Sequence, residues 1–305
     1  MLFGTVSFGE FAVDAFFILS GYLIVESWMR KPDAPRFLKN RILRIYPGFI
    51  AASILCAVIV GPLGANPAKY FANFDCLAFA KNALLLQIPS VPAVFAGWPY
   101  AVVNGSLWTI SLEFTCYLVV LAAGVSGLLR RRYAWLALSL VVVGAFFIMK
   151  AVNFDVPPIY RLAAFFFSGG CLYLYRDMIR MDGRIAFVLF CLLAVAMFSW
   201  RGAEPALTTA GSYALIYLAT KRSAFLSRFN LLPDISYGIY LYAWPVQKLL
   251  IWYVPGISPW ALAVAAGFIS MLLGYASWRL VEKPMLKFKD VPPSQSAAEA
   301  AKATA

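Results

Sequence analysis

A carboxylate in the middle of an apolar segment is the first sign of chemistry in this sequence. Glu113 stands in N-G-S-L-W-T-I-S-L-E-F-T-C-Y, residues 104–117, where Ser106, Thr109, Glu113, Cys116 and Tyr117 recur at spacings of three and four. They therefore share one face of a helix. In hydrocarbon such a stripe must face protein or water, and a carboxylate on it is placed to hold or take a proton. Small hydroxylated residues are ordinary glue between membrane helices, which accounts for Ser106 and Thr109 but not for Glu113. Asp14, Arg161 and Lys248 are further ionisable groups inside apolar segments. A charge buried in lipid is costly unless paired or facing water. With Glu113 they fall in the outer half of their segments in the topology below, so one outward-facing polar cavity is expected. For Asp14 and Arg161, near segment ends, pairing or reaching to the headgroups is the alternative.

Two more constellations suggest ligands. In I-S-Y-G-I-Y-L-Y-A-W-P-V-Q-K, residues 235–248, Tyr237, Tyr240, Trp244 and Lys248 recur at three and four. Sugars stack on aromatic faces while hydroxyls bond to nearby polar groups, so this face suits a glycan. The alternative is an interfacial aromatic belt, which fits Tyr237 but leaves Tyr240 and Trp244 too deep. Pro245 is expected to kink the helix and free backbone carbonyls. In F-L-K-N-R-I-L-R-I-Y-P, residues 37–47, Arg41 and Arg44 project to one side, and their guanidinium forks match phosphate oxygens such as those of coenzyme A. Membrane topology alone also demands basic residues there. The chain has no histidine, and its five cysteines form no C-x-x-C pair. Neither a metal site, nor a disulfide framework, nor a permanently bound cofactor is expected.

The elements that must position these residues are membrane helices. Of 305 residues 62% are hydrophobic and only 13% charged, too few polar groups for a soluble shell. The expected fold is all-α, a polytopic transmembrane helical bundle of about nine spans, at 11–28, 48–63, 105–127, 133–149, 159–175, 185–200, 205–220, 236–254 and 259–281. Pro47 is taken to precede the second span, Asn104 to cap the third, and Pro157-Pro158 to open the fifth. The net charge of +12 does not point to nucleic acid. About 19 of the 26 lysines and arginines fall on one side of this topology, which makes those loops and the C-terminus cytoplasmic. The stretch 76–90 is read as a re-entrant or interfacial helix, since a tenth crossing would put Arg130, Arg131 and Arg132 outside. Residues 290–305 are read as a disordered cytoplasmic tail. This orientation leaves Met1 outside, which a further helix ahead of it would correct.

The chain resembles the acyltransferase-3 family of membrane O-acyltransferases, which modify bacterial O-antigens, exopolysaccharides and nodulation factors. The resemblance runs through F-A-V-D-A-F-F-I-L-S-G-Y-L-I (11–24), R-I-L-R-I-Y-P (41–47), S-L-W-T-I-S-L-E-F-T-C-Y (106–117), I-S-Y-G-I-Y-L-Y-A-W-P-V (235–246) and W-R-L-V-E-K-P (278–284), in the family's order. It implies a multi-pass protein of the bacterial inner (plasma) membrane, an acyltransferase-3 domain over 1–289 with lipid around it, acetyl-CoA or another acyl-CoA as co-substrate, and a glycan hydroxyl as acceptor. Carried over by position, Glu113 and Asp14 are its catalytic candidates, and Arg41 and Arg44 its donor-binding candidates. Trp108, Tyr237, Tyr240, Trp244 and Arg161 are candidates for the glycan, and Ser20, Gly21, Pro47, Ser236 and Glu282 belong to its structural motifs. Members typically begin with a further helix bearing an arginine and a histidine, giving ten spans, and many have a histidine where Ala243 stands. The expectation is therefore an N-terminally incomplete domain that transfers acyl groups poorly or not at all. In an intact member that histidine would take the sugar proton, with Glu113 or Asp14 orienting it or passing its proton on. The alternative function is a proton-coupled transporter or glycan flippase, in which Asp14, Glu113, Arg161 and Lys248 would line the pathway.

Overall fold

A computed structural model describes residues 5–152, 156–199, 202–221 and 233–289. The tail 290–305 and most of the basic stretch 221–228 lie outside them. All elements among the described residues are helical: α1 (Phe8–Arg30), α2 (Ala34–Leu63), α3 (Pro67–Ala72), α4 (Cys76–Leu84), α5 (Gly105–Val125), α6 (Arg132–Ala151), α7 (Pro158–Leu174), α8 (Gly183–Ala196), α9 (203–220), α10 (Ser236–Tyr253) and α11 (Pro259–Leu286). Five of them, α1, α2, α5, α6 and α11, are long and apolar enough to cross a membrane. The others are shorter or less apolar. Leu140 and Val141 on α6, and Phe187 and Val195 on α8, are more than half exposed, a surface suited to lipid rather than water.

Local sequence sets most helix boundaries. Ser7 and Glu10 form a reciprocal capping box at the start of α1, Asn104 accepts the Ser106 N–H at the start of α5, and Pro158 occupies the first turn of α7. Gly127, at φ +76°, follows α5. One boundary corrects expectation. Pro47 lies inside α2 rather than ahead of a span, and the basic stretch 34–47 is continuous with the apolar half in one 30-residue helix. Helix α4 has only nine residues, about 13 Å at 1.5 Å per residue, too short to cross roughly 30 Å of hydrocarbon.

The chain forms two compact units. Met1–Phe37 with Leu112–Arg228 make the first, and Leu38–Ser111 with Phe229–Ala305 the second. In the first, α1 packs mainly on α7, and α6 also packs on α7. A Cβ on Gly21 would strike the Phe166 carbonyl oxygen, and one on Gly169 the Ile18 carbonyl oxygen. These two glycines thus let the backbones of α1 and α7 touch, the packing available where lipid supplies no hydrophobic drive. Trp135 of α6 stacks on Phe167 at 4.7 Å.

In the second unit α10 packs on α11, with Gly238 against Gly274. A core of Cys56, Val60, Tyr70, Val94, Phe95 and Val103 ties the loop after α4 to α2. Pro245 lacks the N–H that would bond to the Leu241 carbonyl, and the buried Asn104 side chain donates to that carbonyl at 2.8 Å instead. The carbonyl expected to be freed is therefore the point at which the cap of α5 grips α10. Residues Cys56–Val60 of α2 form a π-turn, and the Tyr70 hydroxyl donates to the Ala57 carbonyl within it at 2.9 Å.

Candidate functional site

Four helix ends of the first unit bring opposite charges together. Asp14, in the second turn of α1, is wholly buried, and its Oδ2 lies 3.4 Å from an Arg161 nitrogen in the first turn of α7. The same guanidinium is 3.6 Å from Glu204 at the start of α9, and Lys150, in the last turn of α6, reaches Glu204 at 2.5 Å. Two acids and two bases make a quartet of opposed charges, with Glu10 of α1 a further acid acting on Arg161 and Lys150, an arrangement that makes burial of charge tolerable. The Asp14–Arg161 pairing was one of the two arrangements the sequence allowed. Lys150 and Glu204 were missed, because neither belongs to a motif and only tertiary packing brings them in. Asp14 Oδ1 remains buried with no hydrogen-bond partner.

The second buried carboxylate follows the polar stripe of α5. Glu113, 4% exposed, accepts a hydrogen bond from the Tyr117 hydroxyl one turn later. The Ser20 hydroxyl of α1 donates to Tyr117 at 3.4 Å. Ser20, Tyr117 and Glu113 thus form a hydrogen-bonded chain from the S-G motif of α1 to the carboxylate of α5. Asp14 stands six residues before Ser20 on α1, about 9 Å along the axis.

In the second unit the R-x-x-R segment meets the start of α10. Arg44 pairs with Asp234 at 2.6 Å and lies 5.6 Å from the centre of the Tyr237 ring. The Ser236 hydroxyl donates to the other oxygen of Asp234 at 2.7 Å, and the Tyr237 hydroxyl donates to the Ile45 carbonyl at 2.9 Å. Burial works to raise the Asp234 carboxyl, but Arg44 and the Ser236 hydrogen bonds outweigh it and hold it below the usual range. Lys289, just beyond α11, is pushed down to about 8 by burial first and then by the Arg41 and Arg44 charges. Asp234 and Lys289 thus join the expected Arg41 and Arg44 in a cluster of three basic groups and two acids, counting Glu282, which also faces the Arg44 charge, and its net positive balance suits phosphate. Neither carried a signal in the sequence beyond a general excess of charge.

The aromatic face of α10 is only partly available to a ligand. The Tyr240 hydroxyl donates to the Ser106 carbonyl at 2.6 Å and lies 2.5 Å from the Thr109 hydroxyl, so it is spent on the start of α5. Trp244 lies over Gly105, with Tyr100 edge-on at 6.2 Å and its indole N–H buried without a hydrogen-bond partner. Lys248 donates to the Pro99 carbonyl at 2.7 Å. It belongs to the second unit, whereas Asp14, Glu113 and Arg161 belong to the first. Trp108 is half-buried at the start of the α-helical part of α5. Two rings outside the expected set complete this surface: Trp98, 39% exposed and edge-on to Trp252, and Tyr100, 77% exposed. Phe95 and Tyr100 hold φ of +54° and +57°, left-handed conformations that bulky residues adopt only under constraint. Glu282, 2% exposed in a π-turn of α11, accepts from Ser277, which in turn accepts from Tyr242, so this motif acid ties α11 to α10.

All five cysteines are free thiols, and among the described residues no group of three or more His, Cys, Asp or Glu side chains could hold a metal ion. Comparison with known proteins gives the chain its family. The chain is similar to the O-acetyl transferase of Shigella phage Sf6, 31% identical over 93% of this chain and 87% of that protein. It is similar to nodulation protein 10 of Rhizobium leguminosarum bv. viciae, 25% identical over 91% of this chain and 82% of that protein. A shorter match, 30% identical over 36% of this chain and 27% of the relative, is to acyltransferase MdmB of Streptomyces mycarofaciens. No solved structure matches. A family model described as an acyltransferase domain matches residues 1–279. That match decides between the transferase and the transporter: the chain belongs to the acyltransferase-3 family and is an O-acyltransferase.

Proposed function

We propose that the protein moves an acyl group, acetyl by analogy with the phage relative, from a cytosolic acyl-CoA to a hydroxyl of a glycan, in the bacterial inner membrane. The single observation that carries this is the buried Ser20–Tyr117–Glu113 chain. A carboxylate so deep in an apolar helix is costly, and proton transfer is the work that repays it. The sugar oxygen attacks the thioester carbonyl carbon, the new C–O bond forms as the C–S bond breaks, and the hydroxyl proton passes through Glu113 to the departing thiolate. Tyr117 holds Glu113 in place. Asp14, with an unpartnered oxygen beside Arg161, is the second group able to pass that proton.

Arg41, Arg44 and Lys289 are the groups suited to the donor's phosphates. Trp244, Tyr100 and Trp98 are the rings suited to a sugar face. The excess of basic loops on one side supports a cytoplasmic placement for the donor groups and the C-terminus. The test is mass spectrometry of surface glycans from cells carrying wild type or Glu113→Gln. Loss of the ester at unchanged glycan abundance and protein level is expected, and a retained ester rejects the role given to Glu113.

A further inference from the structure

We infer that the first unit contains a binding slot for one hydrocarbon chain of an anionic phospholipid. A cavity of about 300 Å³ lies between α6, α7 and α9, bounded by Leu136, Ser139, Val143, Cys171, Tyr175 and Thr208 among others. Four of its hydroxyls are turned back on their own helices. Ser139 donates to the Trp135 carbonyl at 2.8 Å and accepts from the Cys171 thiol, and Thr208 donates to the Glu204 carbonyl at 2.7 Å. Thr209 and Ser212 on the same wall donate to the carbonyls four residues earlier, at 2.9 and 2.7 Å. The walls therefore present methyl and methylene groups, with few donors left for a sugar or a nucleotide.

The direction of the slot selects its occupant. It runs from Tyr175 and the first turns of α6, at the end bearing Arg130, Arg131 and Arg132, toward Thr208 deeper in the unit. From Leu136 to Val143 it extends about 10 Å along α6, within the roughly 15 Å of one leaflet's hydrocarbon. At its basic end stand two groups suited to a headgroup. The Tyr175 hydroxyl is buried with no hydrogen-bond partner. The exposed Arg132 guanidinium lies 5.8 Å from the Tyr175 ring and 3.4 Å from the Met178 sulfur, and makes no ion pair among the described residues. A chain in the slot, an ester or phosphate oxygen at Tyr175 and an anionic headgroup at Arg132 use all three features together. The proposed orientation enters only in assigning this lipid to the cytoplasmic leaflet.

The test uses the full chain in nanodiscs of equimolar dioleoyl phosphatidylglycerol and dioleoyl phosphatidylcholine, released into detergent and weighed by native mass spectrometry. Retention of a single phospholipid per chain is expected, with phosphatidylglycerol favoured about fivefold. Val143→Trp, which fills the slot, should lose that lipid at an unchanged melting temperature. Arg132→Gln, at an exposed position, should keep a lipid but lose the preference for phosphatidylglycerol. A wild type that retains none, or a Val143→Trp protein that retains it as well as wild type, overturns the inference. Should Val143→Trp fail to fold, Arg132→Gln decides: a surviving preference for phosphatidylglycerol overturns it. No acylation assay is involved, so this outcome is separate from that of the proposed reaction.

Discussion

Asp14 in the first unit and Asp234 in the second are both aspartates paired with an arginine, but in opposite surroundings. Asp14 is wholly buried and shares Arg161, itself 12% exposed, with Glu204. The Asp234 side chain is 57% exposed, and its partner Arg44 is 25% exposed. A buried pair cannot exchange its partner for water, so it fixes geometry at the cost of desolvation. A half-exposed pair is worth little by itself and can be traded for a better anion. In the proposed reaction the first unit holds carboxylates in place for proton work, and the second releases a guanidinium to an incoming phosphate.

Removing one member of the buried quartet should have the largest effect. Arg161→Ala leaves Asp14 without its cation and should cost about 3–5 kcal/mol, read as a lower melting temperature of the detergent-solubilised protein. A melting temperature equal to wild type would mean the quartet is solvated and the contrast with Asp234 is wrong. Arg44→Ala should fold normally but bind donor more weakly, by roughly 10- to 100-fold in KM for acyl-CoA, as expected for losing a charge-assisted contact of about 1.5–3 kcal/mol. An effect on melting comparable to that of Arg161→Ala would erase the distinction between the units.

The Lys289 amine sharpens the contrast further. Burial and its two arginine neighbours bring it down to about 8, so it sheds its proton as pH rises through that value. Donor affinity should fall over the same range, and Lys289→Arg, which stays charged, should flatten the profile. The sign for folding is opposite. A lysine depressed in the folded state makes stability rise with pH between about 8 and the usual lysine range, because there the unfolded chain binds more protons. The smallest expected effect is at the ring surface. Trp244→Phe should raise the acceptor KM only a few-fold, consistent with about 0.5–1.5 kcal/mol for one aromatic contact, without altering the donor KM.

Much of the scaffold was legible in the sequence because membrane helices announce themselves by apolar length. The expected segments at 105–127, 133–149 and 159–175 fall on α5, α6 and α7, and Asn104 and Pro158 mark starts as anticipated. The 34–47 stretch was not legible as helix, since hydropathy reports burial in lipid and a basic amphiphilic turn carries none of that signal. Pro47 also reads as punctuation, although a long helix can absorb it. At the site, the i, i+4 relation of Glu113 and Tyr117 was readable from spacing alone. The partners that cross between helices were not: Lys150 and Glu204 around Arg161, Asp234 on Arg44, and Tyr100 on Trp244 lie tens to nearly two hundred residues from what they touch. Hydroxyls were legible as types but not in their use, since Tyr237 and Tyr240 spend theirs on backbone carbonyls.

The division of labour is tested most directly by measuring donor binding and transfer in the same Glu113→Gln protein. Calorimetric titration with acetyl-CoA should give a Kd within about twofold of wild type, while the rate of ester formation on the glycan falls at least about 100-fold. If Glu113→Gln instead weakens acetyl-CoA as much as Arg44→Ala does, or still transfers at the wild-type rate, the separation of proton work from donor recognition is contradicted.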